Sequence, residues 1–382
     1  MRWNAALQRR YLYAAFTTGI LITVCSAVIW RIAHNDVTRP GLADHSLTTV
    51  GPLEGRDLAL VINSADPLSE AIGSYYQNAR HIPSNQVIRV RFAPGRSSLP
   101  VAEFRRIRRQ VEQQTPEHVQ IYALAWSSPW SVGCQSITSA FSLGYRPEVC
   151  FGRCGTARLS PYYARGDVRR PWAQLRLRPS MLLAATNLAA AHALIDRGVA
   201  ADGTKPPGTA YLLSTSDPLR NVRSGRFDVV AAELGRQLRV RHLWGDVLKG
   251  APDVIAYFTG LTIVPDIASN HYRPGAVADH LTSTGGMLTG ASGQSSDGGN
   301  GQMSSLRWLE AGATGSYGTV VEPCNATTKF PDPGLLLSYY RRGDTLIESY
   351  WRSVAMPDQG IFIGEPLARP WGPKPGRFVR PG

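Results

Sequence analysis

Short, nearly continuous apolar runs alternate along this chain with longer stretches in which apolar residues recur every three or four positions. The first pattern marks strands buried on both faces, and the second marks amphipathic helices. Residues 57–63, DLALVIN, read as a strand. Asp66 then stands as a helix N-cap and Pro67 as a first-turn proline, and Leu68, Ile72, Tyr75, Tyr76 and Ala79 form one helical stripe. Residues 86–92 and 119–126 are further strands, separated by a helix over 100–114. This β-α-β-α-β order predicts a parallel sheet with helices on its faces. The rhythm breaks at 127–179, a cysteine-containing excursion rich in Pro, Gly and aromatic residues that holds one short helix at 136–144. It resumes with strands at 180–186 and 209–215 and helices at 188–198 and about 226–239. In the last third, Asp253–Thr259 and Gly285–Thr289 read as strands, with Asp279 and His280 on a helix before the second and another helix at 303–312. Residues 369–382, rich in Pro and Gly, read as a surface tail.

The N-terminus changes the picture. Residues 11–30 are uncharged, with Arg2, Arg9 and Arg10 before them and Arg31 after them. Twenty such residues match a bilayer core as a helix, and the charge bias keeps the N-terminus in the cytoplasm. The reading is an uncleaved membrane anchor in 1–32, with a cleaved signal as its rival; either exports the body of the protein. Residues 33–56 follow as a linker, and one α/β domain occupies 57–368. Export makes disulfides available to Cys134, Cys150, Cys154 and Cys324. One bridge is expected within 134–154, and Cys324 is either free or joined to the cysteine left over. The spacing of Cys150 and Cys154 resembles half a zinc site with no second half, so no metal is expected, and no cofactor. The net charge of +13 is concentrated in arginine clusters at 103–110 and 168–178. Export disfavours nucleic acid as the partner and leaves a peptide or an anionic envelope polymer.

Candidate chemistry gathers where strands end, because open α/β folds bind ligands at the carboxyl edge of the sheet. LVINSADPL (60–68) and YLLSTSDPL (211–219) both run from a strand into Ser-x-Asp-Pro-Leu, so Asp66 and Asp217 either face a ligand or simply open helices. Glu322 and Glu365 each precede Pro after a strand and form a candidate carboxylate pair. His271 is a loop residue suited to a pocket, and Ser292 lies in a Gly/Ser turn without Gly-x-Ser-x-Gly spacing. Cys324 is a candidate thiol with Glu322 near it. Residues 290–302 lack the lysine and the glycine spacing of a phosphate loop. Asp66, Thr259 and Ser292 are expected to line a single cleft, with Gly260 and Gly290 allowing close approach of a ligand.

Residues 63–87, 178–187, 194–223 and 311–367 together resemble an uncharacterised bacterial family of exported proteins, a resemblance that implies no activity. The last third also resembles, distantly, the caspase-like and gingipain-like cysteine peptidases. Those place His-Gly after one parallel strand and a nucleophilic Cys after the next. Here Thr259-Gly260 stands at the first position, and the second, in MLTGASG (287–293), holds no cysteine. The expected architecture is therefore a caspase-like or flavodoxin-like open sheet. Two functions follow: a catalytically silent scaffold binding a peptide or envelope polymer, or an exported hydrolase drawing on His271, Ser292, Glu322 or Cys324.

Overall fold

Leu58–Asn63 is buried at every residue because layers cover both faces of the sheet it enters. Leu58, Leu60 and Ile62 join one core, Ala59 and Val61 the other, with the two-residue period of a strand. This is β1 in the computed structural model, which describes residues 51–152, 154–155, 157–288 and 301–374. After it come α1 (Pro67–Arg80), β2 (Val87–Val90), β3 (Ser98–Leu99), α2 (Val101–Gln114), β4 (Ile121–Leu124), β5 (Ser131–Val132), β6 (Gln135–Ser136), α3 (Ile137–Leu143), α4 (Pro171–Leu175), β7 (Ser180–Leu182) and α5 (Leu188–Ala201). The remainder supplies β8 (Thr209–Ser214), α6 (Phe227–Leu234), β9 (Arg239–Trp244), β10 (Val254–Thr259), β11 (Tyr272–His280), α7 (Leu306–Ala311), β12 (Gly315–Thr319), α8 (Pro333–Arg341), α9 (Leu346–Ser353) and β13 (Gly360–Gly364).

The fold is α/β, built on a ten-stranded, mostly parallel open sheet in the order β2-β1-β4-β7-β13-β12-β11-β10-β8-β9. Helices cover both faces. Ile72 and Tyr76 of α1 and Ile195 of α5 join the core of one face, while Phe104, Ile107 and Val111 of α2 join that of the other. Each of these large side chains contributes roughly 1.5–3 kcal/mol by leaving water. The antiparallel junction is β12 against β13, and β13 is parallel to β7. The sheet is thus two parallel halves running in opposite directions. Each half places its first strand inside its second and then adds strands toward the junction: β1, β2, β4, β7 in one; β8, β9, β10, β11, β12 in the other. The two Ser-x-Asp-Pro-Leu turns follow β1 and β8, the corresponding first strands of the halves.

This reversal corrects the expectation that all strand ends share one edge. Two local readings also change. Asp279 and His280 end strand β11 instead of lying on a helix, and residues 285–288 form a turn and coil with no strand. β11 is buried from Gly275 onward on both faces, so its sequence carries no two-residue period. β9, hidden behind the helical pattern before it, is an additional strand.

The excursion is held by Cys134–Cys150, and Cys154 pairs with Cys324. Packing begins before residue 57, since Leu53 is in the core, and it continues past 368, since Arg369 and Trp371 are buried. Among the described residues no helix is long and apolar enough to cross a membrane; the anchor expected at 11–30 lies outside them.

Candidate ligand cavity

The strand-end residues singled out from sequence do not form one cleft: Asp217, Thr259 and Gly260 share the carboxyl edge of the adjacent parallel strands β8 and β10, and the rest divide between the two edges. Asp66 follows β1 and Thr259 ends β10, in oppositely directed halves, so they leave the sheet at opposite edges. Ser292 and Gly290 lie outside the described residues. Asp66 caps α1 by accepting from the Leu68 amide at 3.0 Å. Asp217 accepts from the amides of Leu219 and Arg220 and pairs with the Arg220 guanidinium at 2.9 Å. Both aspartates are turn-formers. Gly260 is closed by the chain itself: a Cβ there would lie 2.0 Å from the Arg220 carbonyl oxygen. Glu322 and Glu365 follow the two antiparallel strands and therefore part to opposite ends. Glu322 accepts from the Cys324 amide at 2.6 Å, and the disulfide leaves Cys324 no thiolate. His271 is exposed and precedes β11, at the edge opposite Thr259.

Glu365 is the exception. It is fully buried, and the Tyr76 hydroxyl donates to its Oε1 at 2.6 Å. Arg80, at the end of α1, donates Nε to Oε1 at 2.9 Å and Nη2 to Oε2 at 2.5 Å. Its Nη1 reaches Asp202 Oδ2 at 2.5 Å, just beyond α5. The Arg369 amide donates to the other Asp202 oxygen at 2.9 Å, and its Nη2 donates to Glu54 at 3.1 Å. Gly198 makes this possible, because a Cβ there would come within 2.7 Å of three Glu365 side-chain atoms. Burial raises the Asp202 pKa and outweighs the pull of Arg80. Burial also opposes the charge on Arg80, yet Glu365 and Asp202 prevail and hold its pKa above the usual value. Burial and the charge of Glu365 keep Tyr76 protonated far above its ordinary range.

Arg80, Asp202, Arg369 and Glu54 of this network line a cavity of about 650 Å³, with Ala79, Val199 and Leu367 as apolar lining and Glu365 behind the wall. Its cations are Arg56, Arg80, Arg369 and Lys374, against the carboxylates Glu54 and Asp202. Arg369 is 2% exposed, and its Nε–H has no hydrogen-bond partner among the described residues. Compared with protein-family models, curated proteins and solved structures, the chain finds no match.

Sequence reasoning reached Glu365 and missed its partners. Arg80 reads as an ordinary basic residue in a last helical turn, and its two carboxylates lie 122 and 285 positions away. Gly198 read as a helix terminus, yet α5 continues through it to Ala201.

Two other clusters carry polar chemistry. Asp279 is buried against Arg223 at 2.6 Å, and its pKa is pushed up to about 6 by burial, opposed by Arg223. Next to it, His280 accepts from the Trp308 indole at 3.0 Å and donates Nε2–H to the Met303 carbonyl at 3.1 Å. Burial brings its pKa down to about 3, so it is neutral. At the end of β8, Ser214 Oγ lies 2.7 Å from His242 Nε2, and His242 Nδ1 lies 2.6 Å from Asp228. These are the contacts of a nucleophile, base and orienting carboxylate. The exposure is inverted, however: Ser214 is 1% exposed, while the Asp228 side chain is 87% exposed.

The arginines of 168–178 are engaged within the molecule, whereas those of 103–110 mostly face outward. Arg169 and Arg170 pair with Asp344 and Asp57, Arg176 with Glu117, and Arg178 stacks 3.4 Å from the Trp172 ring centroid. On α2, Arg108 pairs with Glu112, leaving Arg105, Arg106 and Arg109 exposed.

Proposed function

We propose that this chain is an exported, membrane-anchored α/β protein of caspase-like descent that binds and does not cleave. Its ligand is the anionic end of a peptide or envelope polymer, held in the cavity between α1 and α5. The observation that carries the reading is the lining of this cavity by four cationic residues, Arg56, Arg80, Arg369 and Lys374, against the two carboxylates Glu54 and Asp202. Two disulfides accord with a domain folded outside the cytoplasm, and residues 11–30 anchor it there. The first peptidase position supports silence: Thr259 is buried, and its carbonyl accepts from Arg223 at 2.8 Å. The hydrolase alternative draws on Ser214–His242–Asp228, where a buried serine faces no substrate.

Calorimetric titration of the full chain in nanodiscs tests this, using a tripeptide with a free terminal carboxylate and its C-terminal amide. The carboxylate form should bind, and the amide and the Arg369→Ala variant should each weaken binding about tenfold, the loss expected for one charge-assisted contact. A fluorophosphonate probe should leave Ser214 unlabelled. Equal binding of acid and amide removes the cavity reading, and Ser214 labelling that abolishes a hydrolytic activity establishes the alternative.

A further inference from the structure

The last strand of the sheet presents a surface unlike the rest of the molecule. β9 is six residues long and pairs on one side with β8; among the described residues nothing pairs with its other side. At the opposite end of the sheet, β2 is shorter, the carbonyl of its Arg89 accepts from Gln110 at 2.9 Å, and the Arg89 guanidinium is paired with Glu70. The arginines of β9, and Arg236 just before it, are not neutralised in this way. Arg239 has its carboxylate, Asp253, only at 3.7 Å, and Arg236 and Arg241 form no ion pair among the described residues. All three are exposed. At the end of the strand Trp244 is 78% exposed, and Val247 and the turn residue Leu219 are 46% and 62% exposed. That turn is tied to the end of β9 by Ser216, which donates to Asp246 at 2.6 Å.

We infer that the open edge of β9 binds an extended acidic peptide by strand addition. Unused backbone N–H and C=O groups supply the ladder, alternate arginines select acidic side chains, and Trp244 anchors one end. Charged residues on an edge also discourage pairing between sheets. That role accounts for Arg239 and Arg241 but not for an exposed Trp with apolar neighbours at the strand end. A second copy is the poorer occupant, because antiparallel pairing of β9 with itself centred on Val240 or Arg241 sets arginine opposite arginine. This surface is separate from the cavity and does not depend on it.

The test is fluorescence anisotropy of the full chain in nanodiscs with a fluorescein-labelled peptide of alternating Glu and Val. The Glu-Val peptide should bind, and its Lys-Val counterpart should bind at least about tenfold more weakly, the discrimination charge complementarity supplies. Arg239→Glu with Arg241→Glu should reverse that preference, and Trp244→Ala should cost about fivefold as the loss of an interfacial anchor. A Glu-Val peptide methylated on alternate backbone nitrogens should not bind. Arg369→Ala, which disables the cavity, should leave all of this unchanged. Circular dichroism confirms that the variants are folded. The inference is overturned if the methylated peptide binds equally well, since attraction is then charge alone. It is also overturned if no peptide binds, or if sedimentation shows dimers that the arginine reversals abolish.

Discussion

Asp279 and His280 are consecutive, fully buried and titrate in opposition, so substituting either should expose the other. The native pKa of His280 is about 3, against 6.5 for the free side chain. Between pH 7 and pH 5 the unfolded chain takes up a proton at this residue and the native chain does not. Stability therefore falls with pH, by about 2 kcal/mol over that interval at 1.36 kcal/mol per unit. Asp279 has a native pKa of about 6, against 3.8. Over the same interval the native state takes up the proton and the unfolded state does not, which adds about 1 kcal/mol. The two partly offset, leaving the wild type a net loss of about 1 kcal/mol from these groups. His280→Gln should gain about 1 kcal/mol on going from pH 7 to pH 5, whereas Asp279→Asn should lose about 2 kcal/mol. Urea unfolding followed by tryptophan fluorescence at both pH values measures this. The change between pH values is the readout, because each substitution also shifts the baseline by disturbing Arg223 or Trp308. If both variants keep the wild-type pH dependence, the opposed titration is wrong.

Arg80→Met removes the cation that holds two buried carboxylates and should cost about 3–5 kcal/mol, read as a lowered urea midpoint; an unchanged midpoint would show that Glu365 and Asp202 need no partner. Replacing Cys154 and Cys324 together by Ala opens a connection spanning 170 residues and should cost about 2–5 kcal/mol at neutral pH. Equal stability of that variant and the oxidised wild type would refute a structural role for the bridge.

The N-terminal half was legible because its signals are local. A strand buried on both faces, an Asp-Pro helix opening and an amphipathic stripe each fit within a few residues, and β1, α1 and α2 match them. β11 was misread because Pro274 and Gly275 interrupt a segment whose remaining residues are buried on both sides and show no alternation. The direction of β13 leaves no trace in its own residues; it is set by where α9 delivers the chain. That one undetermined direction sent Glu322 and Glu365 to opposite ends and separated Asp66 from Thr259. The cavity was illegible for a related reason. Its charges are paired across long sequence separations, so each looks like an ordinary surface residue in its own neighbourhood.

The placement of β13 has a consequence for how the molecule is made. The N-terminal half leaves the ribosome, and crosses the membrane on the exported reading, long before its innermost strand exists. Until residues 360–364 arrive, β7 has a bare edge on one side, and Glu365 is missing from beside Arg80. Translation and export are vectorial, so this half cannot finish folding ahead of the other. The last strand to appear locks both halves in a single step, and a chain stopped short of it presents an unpaired edge instead of a smaller finished domain.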